Sequence, residues 1–281
     1  MKTQIPNMTP SQRSNAFANG KAGADGNAIE SKILQSIDIT KYWQVDHTAY
    51  GDVTEEPMSK VALLAADNLS VASQVIPTVT HGDKASVDQL EVFRKSLKGE
   101  MQHKNVKLSS LAFFVKALAK ALKKFPRFNS SLTPDFKTLV LKNYVHIGIA
   151  VDTDYGLVVP VIRDADKKGI VAIANEISEL STAAKDKKLK SAHFGGASMT
   201  ISSLGGISGT HFTPIVNPPE VAILGITRTV VEPVWSGTEF LPESKLPLDL
   251  TYDHRVINGA DAAKFLKYFC SLLDEPKRLL V

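Results

Sequence analysis

Apolar positions along the chain follow two different periods. Leu246, Leu248, Leu250 and Tyr252 alternate with Pro247, Asp249 and Thr251, the period-two signature of a strand with one buried face. Past a tight turn at 253–259, Ala262, Phe265, Leu266, Phe269, Leu272 and Leu273 recur at helical spacing and mark one apolar side. The clearest helix is predicted over 108–125. Its stripe is Leu111, Phe114, Val115, Leu118, Leu122 and Phe125, with Lys116, Lys120, Lys123 and Lys124 largely off it as a solvated face, and Pro126 ends it. Residues 58–73 and the run Ile170, Ile173, Ala174, Ile177 and Leu180 read as two more helices. Residues 76–85 read as an extended segment. The spacing Ser86-Val87-Asp88-Gln89 fits a capping box opening a helix that carries Leu90, Phe93, Arg94 and Leu97. Strands are predicted over 145–151 and 157–163, where Pro160 points to an edge, a first residue or a bulge, and near 197–203 and 221–228. Helices and strands interleave around one mixed sheet, an α/β (α+β) arrangement with no internal repeat.

Composition narrows the classes. With 281 residues, 43% of them hydrophobic, the chain can bury a substantial core in one large domain or two small ones. The net charge of +4, from 33 basic against 29 acidic residues, is spread along the chain and accompanies no nucleic-acid motif. No apolar run approaches a membrane span. A single cysteine, Cys270, on the apolar side of the last helix, excludes an intrachain disulfide and reads as a small buried hydrophobe. Residues 1–45 are rich in Asn, Ala, Gly, Ser and Thr and poor in large apolar groups, so they are expected to form a flexible N-terminal segment. Modest helical patterning at 28–43 fits an arm that docks on the core or on a neighbouring subunit. That segment lacks the apolar core of a secretory signal. The expected location is the cytoplasm, with the mitochondrial matrix as the alternative.

Candidate chemistry concentrates in the turn Asp253-His254-Arg255-Val256-Ile257-Asn258-Gly259. An imidazole at a strand end can be held in one orientation, and near neutrality it can take a proton from a thiol or hydroxyl and return it. Asn258 can supply a neutral hydrogen bond or cap a helix, and Asn-Gly is common turn chemistry. His47, His81, His103, His146, His193 and His211 have no metal-ligand spacing, so no metal is expected.

His254-Arg255-Val256-Ile257-Asn258-Gly259 resembles the H-x-x-x-D-G signature of the dihydrolipoamide acyltransferases, the core subunits of 2-oxoacid dehydrogenase complexes, with Asn where most members carry Asp. Three further blocks resemble the same family in the same order: 149–161, the stretch 195–206 containing Thr200-Ile201-Ser202-Ser203-Leu204-Gly205, and 210–225. The likeness runs from about residue 55 to the end and is closest to the acetyl-transferring, pyruvate-type members. It implies a chloramphenicol-acetyltransferase-like fold over 46–281, with trimeric building blocks.

By that resemblance His254 is the base for coenzyme A, Ser202 the oxyanion donor and Asn258 an orienting group. Arg94, Ser109, Asp152, Ser203 and Thr227 would bind coenzyme A. An arginine suits bidentate phosphate contact, although each of these residues also has an ordinary role as a helix-face charge, a cap or a turn residue. Because Asn cannot carry charge, an imidazolium here has only hydrogen bonding from residue 258 to stabilise it. Asp83-Lys84-Ala85 matches the lipoylation tripeptide, but it opens a helix outside any lipoyl domain, so Lys84 is read as a surface lysine. Since the family's lipoyl and peripheral-subunit-binding domains are not seen, the lipoyl group is expected from another domain or chain, and the chain is expected to be either a truncated or a natural short form. The apolar tail at 279–281 is expected to help join trimers into a 24-subunit cube, alongside dehydrogenase-complex partners. The alternatives are a non-catalytic structural core subunit and a free-standing coenzyme A acyltransferase acting on a small molecule.

Overall fold

The computed structural model describes residues 43–104 and 106–280. Met1–Pro57 forms one unit by itself. Its described part holds a 3-10 turn, His47–Tyr50, fixed by the Asp46 carboxylate accepting the amide and hydroxyl of Thr48. The predicted flexible segment at 1–45 and the arm at 28–43 lie outside the described residues except for 43–45.

The second unit, Met58–Val281, opens with α1 (Lys60–Val75), whose first turn is capped by the Ser59 hydroxyl accepting from the Ala62 amide at 3.1 Å. There follow β1 (Thr78–Ser86), α2 (Asp88–Ser96), α3 (Lys98–His103) and α4 (Ser110–Lys124). A hairpin of β2 (Ser130–Leu132) and β3 (Leu139–Leu141) leads to β4 (Ile147–Ile149) and β5 (Val161–Ile162). The chain continues through α5 (Ile170–Lys185), β6 (Met199–Ser203), β7 (Ala222–Ile226), β8 (Val230–Trp235), β9 (Phe240–Asp253) and α6 (Gly259–Asp274). The main sheet is mixed, in the order β1-β9-β7-β6-β4-β5. β8 pairs with the first half of β9, and only the β4–β6 and β6–β7 contacts are parallel.

The two faces of the sheet are covered differently. Met199, Ile201, Ala222, Leu224, Leu248, Leu250 and Tyr252 point into the large core shared with α2, α4, α5 and α6. Within it Phe128 stacks on Phe265 at 4.1 Å, and Phe125 meets Phe265 edge-on at 5.6 Å. On the opposite face Ile223 joins Ala72 and Ile76 of the α1 region and Val216 in a small second cluster.

Several predicted features come out differently. Pro247, Asp249 and Thr251, expected to face solvent, are buried, because α1 and the loop after β6 cover the second face. The capping box does not form: Ser86 is still in β1, paired with Lys245, Val87 takes the cap position without a side-chain bond, and Asp88 instead accepts the Ser244 amide at 3.0 Å. The strands expected over 145–151 and 157–163 shrink to three and two residues plus a Val151–Val158 bridge. The lysine face of α4 is partly engaged, since the Lys116 ammonium donates to the Asp166 and Lys168 carbonyls. Leu279 of the tail is buried in the chain's own core, and Leu280 is exposed. Cys270 is partly buried, and burial pushes its thiol up to about 12. Among the described residues no helix is long and apolar enough to cross a membrane.

The aromatic stack sets a measurable expectation. Phe265→Ala removes the ring that both Phe125 and Phe128 pack on, and it should lower unfolding free energy by about 3–5 kcal/mol in urea denaturation.

Candidate active site

Between the second face of the sheet and α1 lies a cavity of about 600 Å³ with predominantly apolar walls. Leu64 and Leu69 from α1, Phe194, and Phe212 with Ile215 from the loop after β6 supply most of the apolar surface. The sheet contributes polar groups, Thr200 and Ser202. Alternation along β6 explains their position: Met199 and Ile201 go into the main core, so Thr200 and Ser202 face the cavity. Ser202 is half-buried.

His254 sits elsewhere. Its backbone amide donates to the Pro77 carbonyl at 2.9 Å at the far end of β9, and its ring lies 5.9 Å from that of Tyr252, a residue of the main core. Asp253 beside it is buried and bound by Arg255, 2.7 Å from Nη2 to Oδ2, so that carboxylate is committed to the arginine. Asn258 takes the N-cap position of α6 without a side-chain capping bond and, like His254, is exposed. Ser202 pairs with Gly225, and Gly225 with Asp249. His254 is therefore two strands across and five residues along from Ser202, a separation on the order of 20 Å by ordinary strand spacings. One chain presents the serine and the histidine at different ends of the sheet.

The cofactor candidates fall into three places. Arg94 and Ser109 are neighbours: Arg94 donates to Glu91 at 2.7 Å and to the Leu108 carbonyl at 3.3 Å, and Ser109 caps α4 by position only. Burial pushes the Glu91 carboxyl up, but hydrogen bonds from Arg94 and Ser110 outweigh it and hold the group below its usual range. The same partner raises Arg94. Ser203 and Thr227 lie at the Ser202 end of the sheet. Ser203 is exposed, while Thr227 is fully buried with its hydroxyl donating to the Thr210 carbonyl at 3.1 Å. Asp152 is exposed in the turn after β4.

Two buried carboxylates, Glu220 and Asp249, have no role predicted from sequence. Glu220 is 5% exposed, and burial raises its carboxyl to about 7 against the opposing pull of a 2.9 Å bond from Thr200 and the nearby Lys142 charge. Room for Thr200 is made by Gly148, where a Cβ would lie 2.5 Å from the Thr200 hydroxyl. The other is Asp249, which binds His211 and the Phe212 amide. Its only signal in sequence was a charge in the middle of an alternating strand.

The mixed sheet with a helical layer on one face is matched by known proteins. Residues 50–281 match the model of the 2-oxoacid dehydrogenases acyltransferase catalytic domain, and the chain belongs to that family. It is 45% identical over 262 residues to the dihydrolipoyllysine-residue acetyltransferase component of the pyruvate dehydrogenase complex from Haemophilus influenzae, covering 92% of this chain and 46% of the relative. With the same component from Cupriavidus necator the identity is 49% over 236 residues, 84% of this chain and 42% of the relative. The chain thus spans less than half the length of these curated relatives.

Among solved structures, the cubic core of the pyruvate dehydrogenase multienzyme complex is 48% identical with a TM-score of 0.83, over 84% of this chain and 98% of that one. The dihydrolipoamide acetyltransferase of Azotobacter vinelandii is 47% identical, also at 0.83, over 84% of this chain and 98% of that one. Its catalytic mechanism was investigated at a serine, a histidine and an asparagine. Those three residues stand 52 and 4 positions apart, the spacing of Ser202, His254 and Asn258 here.

Glu220 makes stability depend on pH. Its carboxyl loses a proton near 4.5 when unfolded and near 7 when folded, so the unfolded chain ionises first and folding weakens as pH rises between those values, then levels off. Glu220→Gln removes this loss. Urea denaturation should show the variant gaining on the parent between about pH 5 and 7, by up to about 3 kcal/mol, with no further gain above that window.

Proposed function

We propose that this chain transfers an acetyl group between a dihydrolipoyl arm and coenzyme A, with copies assembling as trimers that build a 24-subunit cube. The lipoyl group comes from another domain or chain, and the partners are the other subunits of a pyruvate dehydrogenase complex. The observation that carries this reading is Ser202 in the wall of a mostly apolar cavity, together with His254 and Asn258 at the spacing of the three residues probed in the Azotobacter enzyme.

In this reading the His254 imidazole takes the proton from the thiol of coenzyme A, and the thiolate attacks the acetyl thioester carbonyl. The Ser202 hydroxyl donates to the tetrahedral oxyanion. Collapse breaks the carbon–sulfur bond to the dihydrolipoyl arm, and the leaving thiolate receives the proton from the imidazolium. Asn258 orients the site by hydrogen bonding and leaves the imidazolium without a compensating charge from that position. The apolar cavity suits an aliphatic acyl-bearing arm. Because His254 and Ser202 are held far apart within one chain, the reacting pair comes from two copies, which makes the oligomer a condition of activity. Arg94 and Ser109 supply a fixed guanidinium and a helix start for the phosphates of coenzyme A. Asp152 and Ser203, both exposed, line the cofactor's remaining path, whereas Thr227, fully buried with its hydroxyl on the Thr210 carbonyl, acts only through the loop it holds.

The test is acetyl transfer from acetyl-CoA to free dihydrolipoamide, compared with small alcohol and amine acceptors. His254→Ala should lower turnover roughly 10²- to 10⁴-fold. Ser202→Ala should lower it roughly 10²- to 10³-fold with KM for both substrates little changed. An unaltered rate in His254→Ala, or a preference for small alcohols or amines, contradicts the proposal. Arg94→Ala should raise KM for acetyl-CoA on the order of tenfold and leave that for dihydrolipoamide alone.

A further inference from the structure

A single row crosses the second face of the sheet. Gly82 of β1 pairs with Asp249 of β9, Asp249 with Gly225 of β7, and Gly225 with Ser202 of β6. Asp249 is 3% exposed, and a carboxylate in such a place needs partners. Its Oδ1 lies 3.0 Å from His211 Nδ1, and its Oδ2 accepts the Phe212 amide at 3.2 Å. Both flanking residues lack side chains, and the space they leave is filled by this arrangement. A Cβ on Gly82 would be 3.5 Å from Asp249 Oδ1 and 3.8 Å from the His211 ring. On Gly225 it would be 2.9 Å from two atoms of the Phe212 ring.

Phe212 is a wall of the cavity that holds Ser202, and Pro214, Ile215 and Asn217 continue that wall. This stretch has no regular secondary structure, so tethers rather than a ladder set its position. One tether is the Thr227 hydroxyl on the Thr210 carbonyl, and another is Val216, buried against Ala72, Ile76 and Ile223. The third is Asp249, which grips the two residues nearest the row that ends in Ser202.

We propose that Asp249 is a positioning residue. Through His211 and the Phe212 amide it fixes the aromatic wall of the acyl-arm cavity, and so sets how well the cavity holds the acyl donor rather than how fast the bound donor reacts. The inference deepens the transferase reading and rests on it for its kinetic consequence.

Hydrogen exchange and kinetics on Asp249→Ala, Asp249→Asn and His211→Ala in the full chain test it. In Asp249→Ala the amides of 210–217 should exchange on the order of tenfold faster, while those of β7 and the second half of β9 keep their protection. KM for S-acetyldihydrolipoamide, measured as acetyl transfer to coenzyme A, should rise about tenfold with kcat within about threefold. Asp249→Asn, which keeps an acceptor for the Phe212 amide, should restore most of both, and His211→Ala, truncating an exposed side chain, should fall between. Unchanged exchange at 210–217 in Asp249→Ala overturns the proposal, as does an equal loss of protection across β7 and β9, which would mark a general stabilising role. A parent protein without acetyl transfer would refute the transferase reading, while the exchange measurement would still decide whether Asp249 holds the wall.

Discussion

The structure depends on the pairing of β9. Fourteen residues long, it lies against β8 with its first half and between β1 and β7 with its second. That ladder places Leu246, Leu248, Leu250 and Tyr252 in the main core and Asp249 and Thr251 on the opposite face, where Thr251 shares a 2.8 Å hydroxyl contact with Thr80. A shift by one residue would exchange the two sets and put a carboxylate among leucines, so the register is strongly specified. The same ladder delivers His254 to the end of the strand and holds the loop carrying Phe212 through Asp249, further back along it.

Features governed by local periodicity were legible in the sequence. The helices now described as α1, α4, α5 and α6 follow from their apolar stripes, and β6, β7 and the second half of β9 from short apolar or alternating runs. What failed was set by distant parts of the chain. Alternation at 246–252 gave the strand but not the burial of its polar face, since that depends on α1 and on a loop forty residues upstream. β8, with Glu232 and Pro233 in its middle, is a strand only because the first half of β9 offers it a partner. Ser86 has capping-box chemistry but is already paired in β1, so tertiary pairing overrode the local signal.

The site shows the same division. Ser202 and His254 were readable as chemical groups from the motifs that contain them, whereas their separation was not, because it arises from the order of strands. Buried acids carry no local mark of burial: Glu220 follows two prolines in a loop, and Asp249 reads as a solvent-facing strand residue. Each becomes meaningful once its neighbours are known, Thr200 and Lys142 for the first, His211 and the Phe212 amide for the second.

In the proposed reaction a working site takes its imidazole from one copy and its hydroxyl from another. Co-assembling His254→Ala chains with Ser202→Ala chains tests it most directly, because some boundaries between copies would then carry both intact groups. Acetyl transfer, nearly absent in either variant alone, should return to roughly a quarter of the parent rate for equal, random mixing. Mixed oligomers, verified by mass, that stay as inactive as the separate variants would contradict it.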